Sequence, residues 1–339
     1  MKETQMIRKY ITLNIIIILI CLSPHRTEAH VKWFSTIVPE KKNLEDIITP
    51  LFLIVALLSA VTIAILPFIL TKMNEYRWSQ KIEIRLKSFD IYTIYILKYG
   101  TATALTIQIL SGTIFAPEFP IQSGIIKVMI LGIISLLIIP HYIGTTISAF
   151  GIIGLYIWLT VDTGFLRTID YIFYIAIAIS LLLSHRKYKK ISIPILYFGT
   201  GFSLFWVAIE KLVYPSMAMD ILIKHHIPTF GFTPDIFIVL CAFIEIVIGY
   251  LLIIGILNRT LSIIVTTIFT LTTLIFGVVE VIGHFILHIL LIIFLIEGAK
   301  DYPMPIRLHK NIISQVFFLF FNFFFLLFTM LTLYYISMN

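Results

Sequence analysis

Residues 198–215, FGTGFSLFWVAIEKLVYP, decide the fold of this chain. The stretch is apolar enough for the interior of a bilayer, yet it carries the adjacent charges Glu210 and Lys211 shortly before Pro215. A charged side chain at the centre of a membrane helix costs about 2.5–3.5 kcal/mol on insertion scales, so it normally faces a partner or a cavity. The stretch therefore predicts a membrane-spanning helix whose charged groups contact neighbouring helices.

The composition of the whole chain indicates the same class of protein. Of its 339 residues, 59% are hydrophobic and only 13% are charged, whereas soluble domains carry about 45–50% apolar and about 25% charged residues. Apolar runs of about 18 residues or more recur along the sequence, which is typical of a polytopic helical membrane protein. We predict an all-α protein with about ten transmembrane helices, at 50–71, 91–115, 122–140, 142–161, 169–185, 191–213, 236–257, 261–282, 284–299 and 312–336.

The N-terminal segment 1–29 has the three parts of a secretory signal peptide. A basic region around Arg8 precedes an apolar stretch, and a polar stretch then ends in the small residue Ala29. Cleavage after Ala29 makes His30 the first residue of the mature chain. An uncleaved membrane anchor is the alternative interpretation of the same segment.

Lysine and arginine are concentrated in alternate loops between the predicted spans. The loops 72–90, 185–190 and 300–311 are rich in these residues, and cytoplasmic loops of membrane proteins carry such an excess. We therefore predict a multi-pass protein of the inner (cytoplasmic) membrane whose mature N-terminus is periplasmic. The same loops account for the net charge of +7, so the predicted partner is the lipid bilayer and not a nucleic acid.

The chain contains an internal repeat. The stretch 99–119, YGTATALTIQILSGTIFAPEF, parallels 198–218, FGTGFSLFWVAIEKLVYPSMA, with Gly100 and Gly199 in corresponding positions. Each unit holds four predicted spans, and an even number returns the chain to the same side, so the units are parallel repeats related by an axis near the membrane normal. The predicted organisation is a signal peptide at 1–29, an N-terminal region with the first span and basic loop at 30–90, four-helix repeats at 91–190 and 191–300, and a C-terminal span at 301–339.

The second repeat resembles the DoxX family of small four-span membrane proteins. Lys211, Leu212 and Pro215 match a Lys-Leu pair near a proline in that family, and Glu245 with Gly249 matches a glutamate four residues before a glycine. The first repeat resembles the family more faintly, because it lacks the lysine, and the opening AHVKWF is similar to that of larger DoxX-like proteins. Known relatives include a subunit associated with thiosulfate:quinone oxidation. The resemblance thus implies a redox-associated membrane component near the quinone pool.

Four charged residues of the second repeat are predicted to form an intramembrane polar cluster. They are Glu210, Lys211, Glu245 and Glu280, and we expect Lys211 to pair with Glu245 or Glu280. One interpretation is an ion pair that ties helices of the bundle together. The other is an outward-facing site for a proton, a metal or a quinone head group.

Three histidines are candidate metal ligands. Glu280, His284 and His288 follow one another at intervals of four residues and would share a face of one helix, although Gly283 favours a break there. The free amine and the ring of an N-terminal His30 would form a chelating pair that suits Cu(II). The hypothesis is a copper site formed by His30, His284 and His288; the alternative is that His30 follows the cleavage site by chance.

These observations leave three functional classes open. The preferred one is a redox-associated membrane component near the quinone pool, with a quinone or copper as the candidate cofactor. A copper-handling or transport protein and a structural membrane partner of a soluble redox protein are the alternatives. Two classes are excluded: removal of the signal peptide leaves Cys241 alone, which rules out dithiol chemistry, and nucleotide-driven or HExxH-type hydrolytic chemistry has no motif.

Overall fold

The computed structural model describes residues 35, 37, 38, 40–184, 189–256, 259–298 and 312–338. The predicted signal peptide 1–29 and His30 lie outside the described residues. The first seven helices are α1 (Leu44–Ile47), α2 (Pro50–Glu75), α3 (Arg77–Lys87), α4 (Thr93–Leu110), α5 (Gly124–Ile138), α6 (Tyr142–Thr163) and α7 (Phe165–Thr168). The other seven are α8 (Phe173–Leu183), α9 (Lys189–Val213), α10 (Pro215–Lys224), α11 (Pro234–Ile254), α12 (Arg259–Phe276), α13 (Val278–Glu297) and α14 (Ile312–Ser337).

Six of these helices are long and apolar enough to cross a membrane: α2, α6, α9, α11, α13 and α14. The count rises to seven if the segment from Phe165 to Leu183, which bends by 57° between Tyr171 and Phe173, is one span. The prediction of an all-α membrane protein is therefore confirmed, and the chain crosses the bilayer several times.

The structure differs from the sequence prediction in the number and ends of the spans. Each of the ten predicted segments contains a helix, but α5 and the apolar part of α12 are shorter than a bilayer crossing usually requires. Helix α4, which includes Lys98 and Gln108, is also not one of the six. In the segment predicted as 91–115, helix α4 ends at Leu110. In the segment predicted as 261–282, helix α12 ends at Phe276.

A small hairpin follows α4 where the sequence predicts the end of a span. Strands β1 (Thr113–Ile114) and β2 (Ala116–Pro120) pair antiparallel. The chain can turn here because Gly112 adopts φ of 75°, a conformation that glycine enters without steric cost. Tyr174 of α8 donates a hydrogen bond to the Phe115 carbonyl at 3.1 Å, and the Tyr171 hydroxyl donates to Glu118. The hairpin is thus held against one end of the first group of helices.

The buried apolar residues form two cores, and these do not follow the limits of the two predicted repeats. The first core is built mainly from α4, α5, α6 and α8 together with α13. The second is built mainly from α2, α9, α11 and α14. Across the predicted repeats, α4 packs against α13 and α8 packs against α9. The two predicted four-helix repeats, 91–190 and 191–300, therefore share their packing: α13 joins the first core, and the flanking helices α2 and α14 complete the second.

Helices α9 and α11 approach each other closely at two glycines. A Cβ atom added to Gly201 would lie 2.6 Å from the Gly249 carbonyl oxygen, and one added to Gly249 would lie 2.7 Å from the Gly201 carbonyl oxygen. Only residues without a side chain let two helix backbones come this near, which is a common basis of helix association in membranes.

Helix α14 shows how the aromatic residues divide between protein and lipid. Leu319, Phe323 and Leu327 are fully buried in the second core, whereas Phe321 and Phe325 are 62% and 70% exposed. A large exposed apolar surface is unfavourable in water, so this face of α14 is suited to contact with lipid chains.

The N-terminal segment contacts α14 near its C-terminal end. The Lys41 ammonium donates a hydrogen bond to the Tyr335 carbonyl at 2.9 Å and lies over the Tyr335 ring. Burial there lowers the pKa of Lys41.

Two cations bind helix ends at the side predicted to be cytoplasmic. Arg259 donates hydrogen bonds to the Ile296 carbonyl oxygen at 2.6 and 3.0 Å, near the end of α13. The Lys98 ammonium, only 5% exposed as a residue, donates to the Ile139 carbonyl at 2.6 Å, at the end of α5. Cations are favourable at helix C-termini because the last carbonyl groups lack partners within the helix.

Candidate functional site

The first candidate site is an ion pair between α9 and α11. Of the two partners expected for Lys211, the structure shows Glu245, which it contacts through the ammonium and Oε1. The two side chains are 21% and 27% exposed, so both are largely enclosed by apolar neighbours. Cys241 precedes Glu245 by four residues on α11, so the two residues lie on the same face of that helix.

Glu210 lies on a different side of α9 from Lys211 and does not join this pair. It is 1% exposed, and its Oε2 accepts a hydrogen bond from the Tyr334 hydroxyl of α14 at 3.3 Å. The Tyr334 ring packs on Trp206, with 4.9 Å between ring centroids. Sequence reasoning missed Tyr334, because a partner from a helix so distant along the chain has no local pattern.

Glu280, His284 and His288 lie on one helix, α13. The helix break that the sequence suggested at Gly283 is wrong, because α13 continues through Gly283. The break between α12 and α13 lies at Gly277, which adopts φ of 72°, a conformation that glycine adopts without steric cost. His284 Nδ1 lies 2.8 Å from Glu280 Oε1, and their side chains are 14% and 7% exposed. The result is a carboxylate–imidazole dyad in the first turns of α13, with Glu280 buried and His284 largely enclosed.

His288 follows one turn later and is held by α12. Its Nε2 lies 3.2 Å from the Thr273 hydroxyl, where either atom can be the donor. The Phe269 ring meets both imidazoles edge to face, with centroids 5.9 Å from His284 and 6.5 Å from His288. The contacts with Thr273 and Phe269 were not foreseen, because threonine and phenylalanine are ordinary residues of an apolar helix.

An amide connects this end of α13 to the first core. Gln108 Nε2 donates a hydrogen bond to the Ile282 carbonyl at 2.8 Å, and the Thr113 hydroxyl donates to Gln108 Oε1. Gln108 is 2% exposed. The dyad of Glu280 and His284 is therefore next to the hairpin and to α4, at the junction of the two predicted repeats.

The predicted polar cluster is thus divided into separate contacts. Lys211 pairs with Glu245, Glu210 contacts Tyr334, and Glu280 contacts His284. Among the described residues, no group of three or more His, Cys, Asp and Glu side chains is arranged to hold a metal ion. His30, the third ligand of the predicted copper site, lies outside the described residues.

Comparisons with known proteins give no match for this chain. No family model matches the chain. No curated protein and no solved structure matches it either.

Proposed function

We propose that this protein is a DoxX-like, redox-associated component of the membrane and that the dyad of Glu280 and His284 binds a quinone head group. The dyad itself carries the proposal. A carboxylate beside an imidazole, both enclosed within an apolar helix pair, is a costly arrangement in a membrane protein, and such residues commonly belong to proton or ligand pathways.

The chemistry of the dyad suits a quinone. When bound, the quinone would supply two carbonyl oxygens that each take up a proton on reduction. Because Glu280 engages Nδ1 of His284, we assign Nε2 as the ring atom that meets the ligand. The carboxylate orients the imidazole and stabilises its protonated form, in the way that a carboxylate partner tunes histidines elsewhere. The edge of Phe269 and the apolar surface of α12 and α13 would enclose the ring of the ligand.

Quinone retention tests this proposal. We expect the wild-type protein, purified in a mild detergent from quinone-containing membranes, to retain quinone, and His284→Ala to lower the retained amount by about tenfold or more, since a hydrogen bond to a charged group contributes about 1.5–3 kcal/mol. Glu280→Gln should lower it less, because the imidazole stays in place. The measurement is quinone extraction and chromatography per mole of protein.

His225→Ala is the matched control, because His225 is exposed outside the dyad. Equal retention by the His284 and His225 variants would overturn the proposal, as would a wild-type protein without quinone.

Copper handling is the second candidate function, because His284 and His288 lie one turn apart on the same helix. The same preparation discriminates the two, since copper analysis per mole of protein is independent of quinone content. N-terminal sequencing decides whether His30 begins the mature chain and so whether its amine is available as a ligand.

The proposed membrane topology has ten crossings, with α4, α5, the bent α7–α8 segment and α12 completing the six longer spans. The reciprocal packing of α4 on α13 and of α8 on α9 supports two repeats related by an axis near the membrane normal. The basic loop 72–90 supports a cytoplasmic position for that end of the bundle, in the inner membrane, with a cleaved signal peptide and a periplasmic mature N-terminus.

Cysteine labelling tests the topology. In a chain with Cys21→Ser and Cys241→Ser, we expect Ser88→Cys to react with an impermeant maleimide only after permeabilisation, and Pro228→Cys to react in intact cells. An odd number of proposed crossings separates the two positions. Labelling of both from the same side would contradict the ten-crossing topology, and the reverse pattern would contradict the orientation.

A further inference from the structure

The contacts of helix α3 with α12 and α13 in the described part of the chain involve the side that carries Glu83. Arg259 Nη1 lies 3.4 Å from Glu83 Oε1, and Arg259 Nη2 lies 3.9 Å from Asp90 Oδ1, directly after the helix. The guanidinium is 11% exposed and also binds the end of α13. These contacts fix the side of α3 that carries Glu83 against the helix bundle.

The opposite side of α3 carries a row of basic residues. Arg77, Lys81 and Arg85 follow one another at intervals of four, so they share one face, and at 100° per residue that face points away from Glu83. All three are exposed, and none forms an ion pair with a described residue. Ile84, which lies beside this row, is 73% exposed. A basic face that also exposes an isoleucine suits a lipid surface better than bulk water.

The residues after α3 indicate its depth in the membrane. Phe89 and Tyr92 lie between α3 and α4, Tyr95 lies in the first turn of α4, and the three side chains are 44%, 51% and 51% exposed. Tyrosine side chains are enriched at the level of the lipid headgroups, where the ring is apolar and the hydroxyl remains hydrated. On its other side, α3 follows the end of the spanning helix α2 after Tyr76. Both connections place α3 in the plane of the headgroups.

We propose that α3 is a binding surface for anionic phospholipid headgroups, with Arg77, Lys81 and Arg85 as the residues that contact phosphate. The charges are complementary, and successive members of the row are about 6 Å apart along the helix axis, so the row can meet more than one headgroup. Its one acidic residue, Glu83, engages Arg259 and leaves the basic face uninterrupted. Lipid binding by α3 does not depend on quinone binding at α13.

Lipid competition tests the proposal on the full-length protein. The protein is placed in mixed micelles of phosphatidylglycerol and phosphatidylcholine, and bound lipid is measured by native mass spectrometry. We expect a preference for phosphatidylglycerol that Lys81→Gln/Arg85→Gln lowers by about thirtyfold, from the usual contribution of basic residues at an anionic surface. Higher salt should weaken the preference.

Two controls make the result decisive. Lys42→Gln/Lys127→Gln removes the same number of exposed charges elsewhere on the chain and should leave the preference unchanged. Lys81→Arg/Arg85→Lys keeps the charges and should retain it. Equal loss in the Lys42/Lys127 variant, or no preference for phosphatidylglycerol in the wild type, would overturn the proposal. Binding of an acidic protein or RNA, with no lipid preference, would overturn it as well.

Discussion

Gly249→Ala is expected to lower the free energy of unfolding by about 3 kcal/mol, the upper part of the range for overpacked cores. The added Cβ would lie 2.7 Å from the Gly201 carbonyl oxygen and 2.9 Å from the Phe205 amide nitrogen. Both are backbone atoms of α9, so no side chain can rotate away and the two helices must separate. Loss of the folded fraction on heating, followed by size-exclusion chromatography in detergent, measures the effect.

Gly154→Ala is the control for this substitution. Gly154 also lies within a helix, α6, but an added Cβ there meets no atom within 4 Å. We expect that variant to be as stable as the wild type or slightly more stable, because alanine favours helix by up to about 1 kcal/mol over glycine. Similar thermal profiles for the two variants would mean that α9 and α11 do not approach as closely as described.

Lys211→Met is expected to lower the free energy of unfolding by about 3 kcal/mol. The change leaves the Glu245 carboxylate without its ion-pair partner in largely apolar surroundings, and removing one member of a buried pair commonly costs about 3–5 kcal/mol. Glu245→Gln should have an effect in the same direction. The double variant should lose less than the sum of the two single losses, because neither charge then remains alone.

The pair of Lys224 and Asp220 provides a comparison for this cycle. Its ammonium and carboxylate are 2.8 Å apart, but the lysine side chain is 39% exposed, and exposed ion pairs contribute about 0–1 kcal/mol. Lys224→Met should therefore change stability little. Additive losses in the Lys211 and Glu245 cycle, measured by the same thermal assay, would show that the two residues are not coupled.

The class of the fold was predictable because the apolar runs are long and frequent. The ends of the helices were not. Residues such as Ile114 and Phe115 continue an apolar run, so the sequence predicts a span where the chain in fact turns into a hairpin at Gly112. Either Gly277 or Gly283 could have broken the chain near α13, and only the backbone conformation shows that the break is at Gly277.

The charged contacts were predictable only where both partners are charged. The sequence limited the partner of Lys211 to Glu245 or Glu280, because a charged residue is costly in a membrane without a partner, and the structure shows Glu245. Lys98 and Arg259 bind backbone carbonyl groups of Ile139 and Ile296, and a carbonyl group leaves no signal in the sequence. The pairing of Glu210 with Tyr334 was missed for a related reason, because a tyrosine needs no charged partner to enter a membrane helix.

The second core joins helices from opposite ends of the chain, and this has a consequence for biogenesis. Lys41 and Tyr335, which meet at the contact of the N-terminal segment with α14, are 294 residues apart. At about 5–20 residues per second, a ribosome needs about 15–60 s to synthesise the intervening chain. During that interval α2 lies in the bilayer with lipid in place of α14 against its inner face. Lipid must be displaced from that face before the last helix can dock, so the second core is completed only after α14 has entered the membrane.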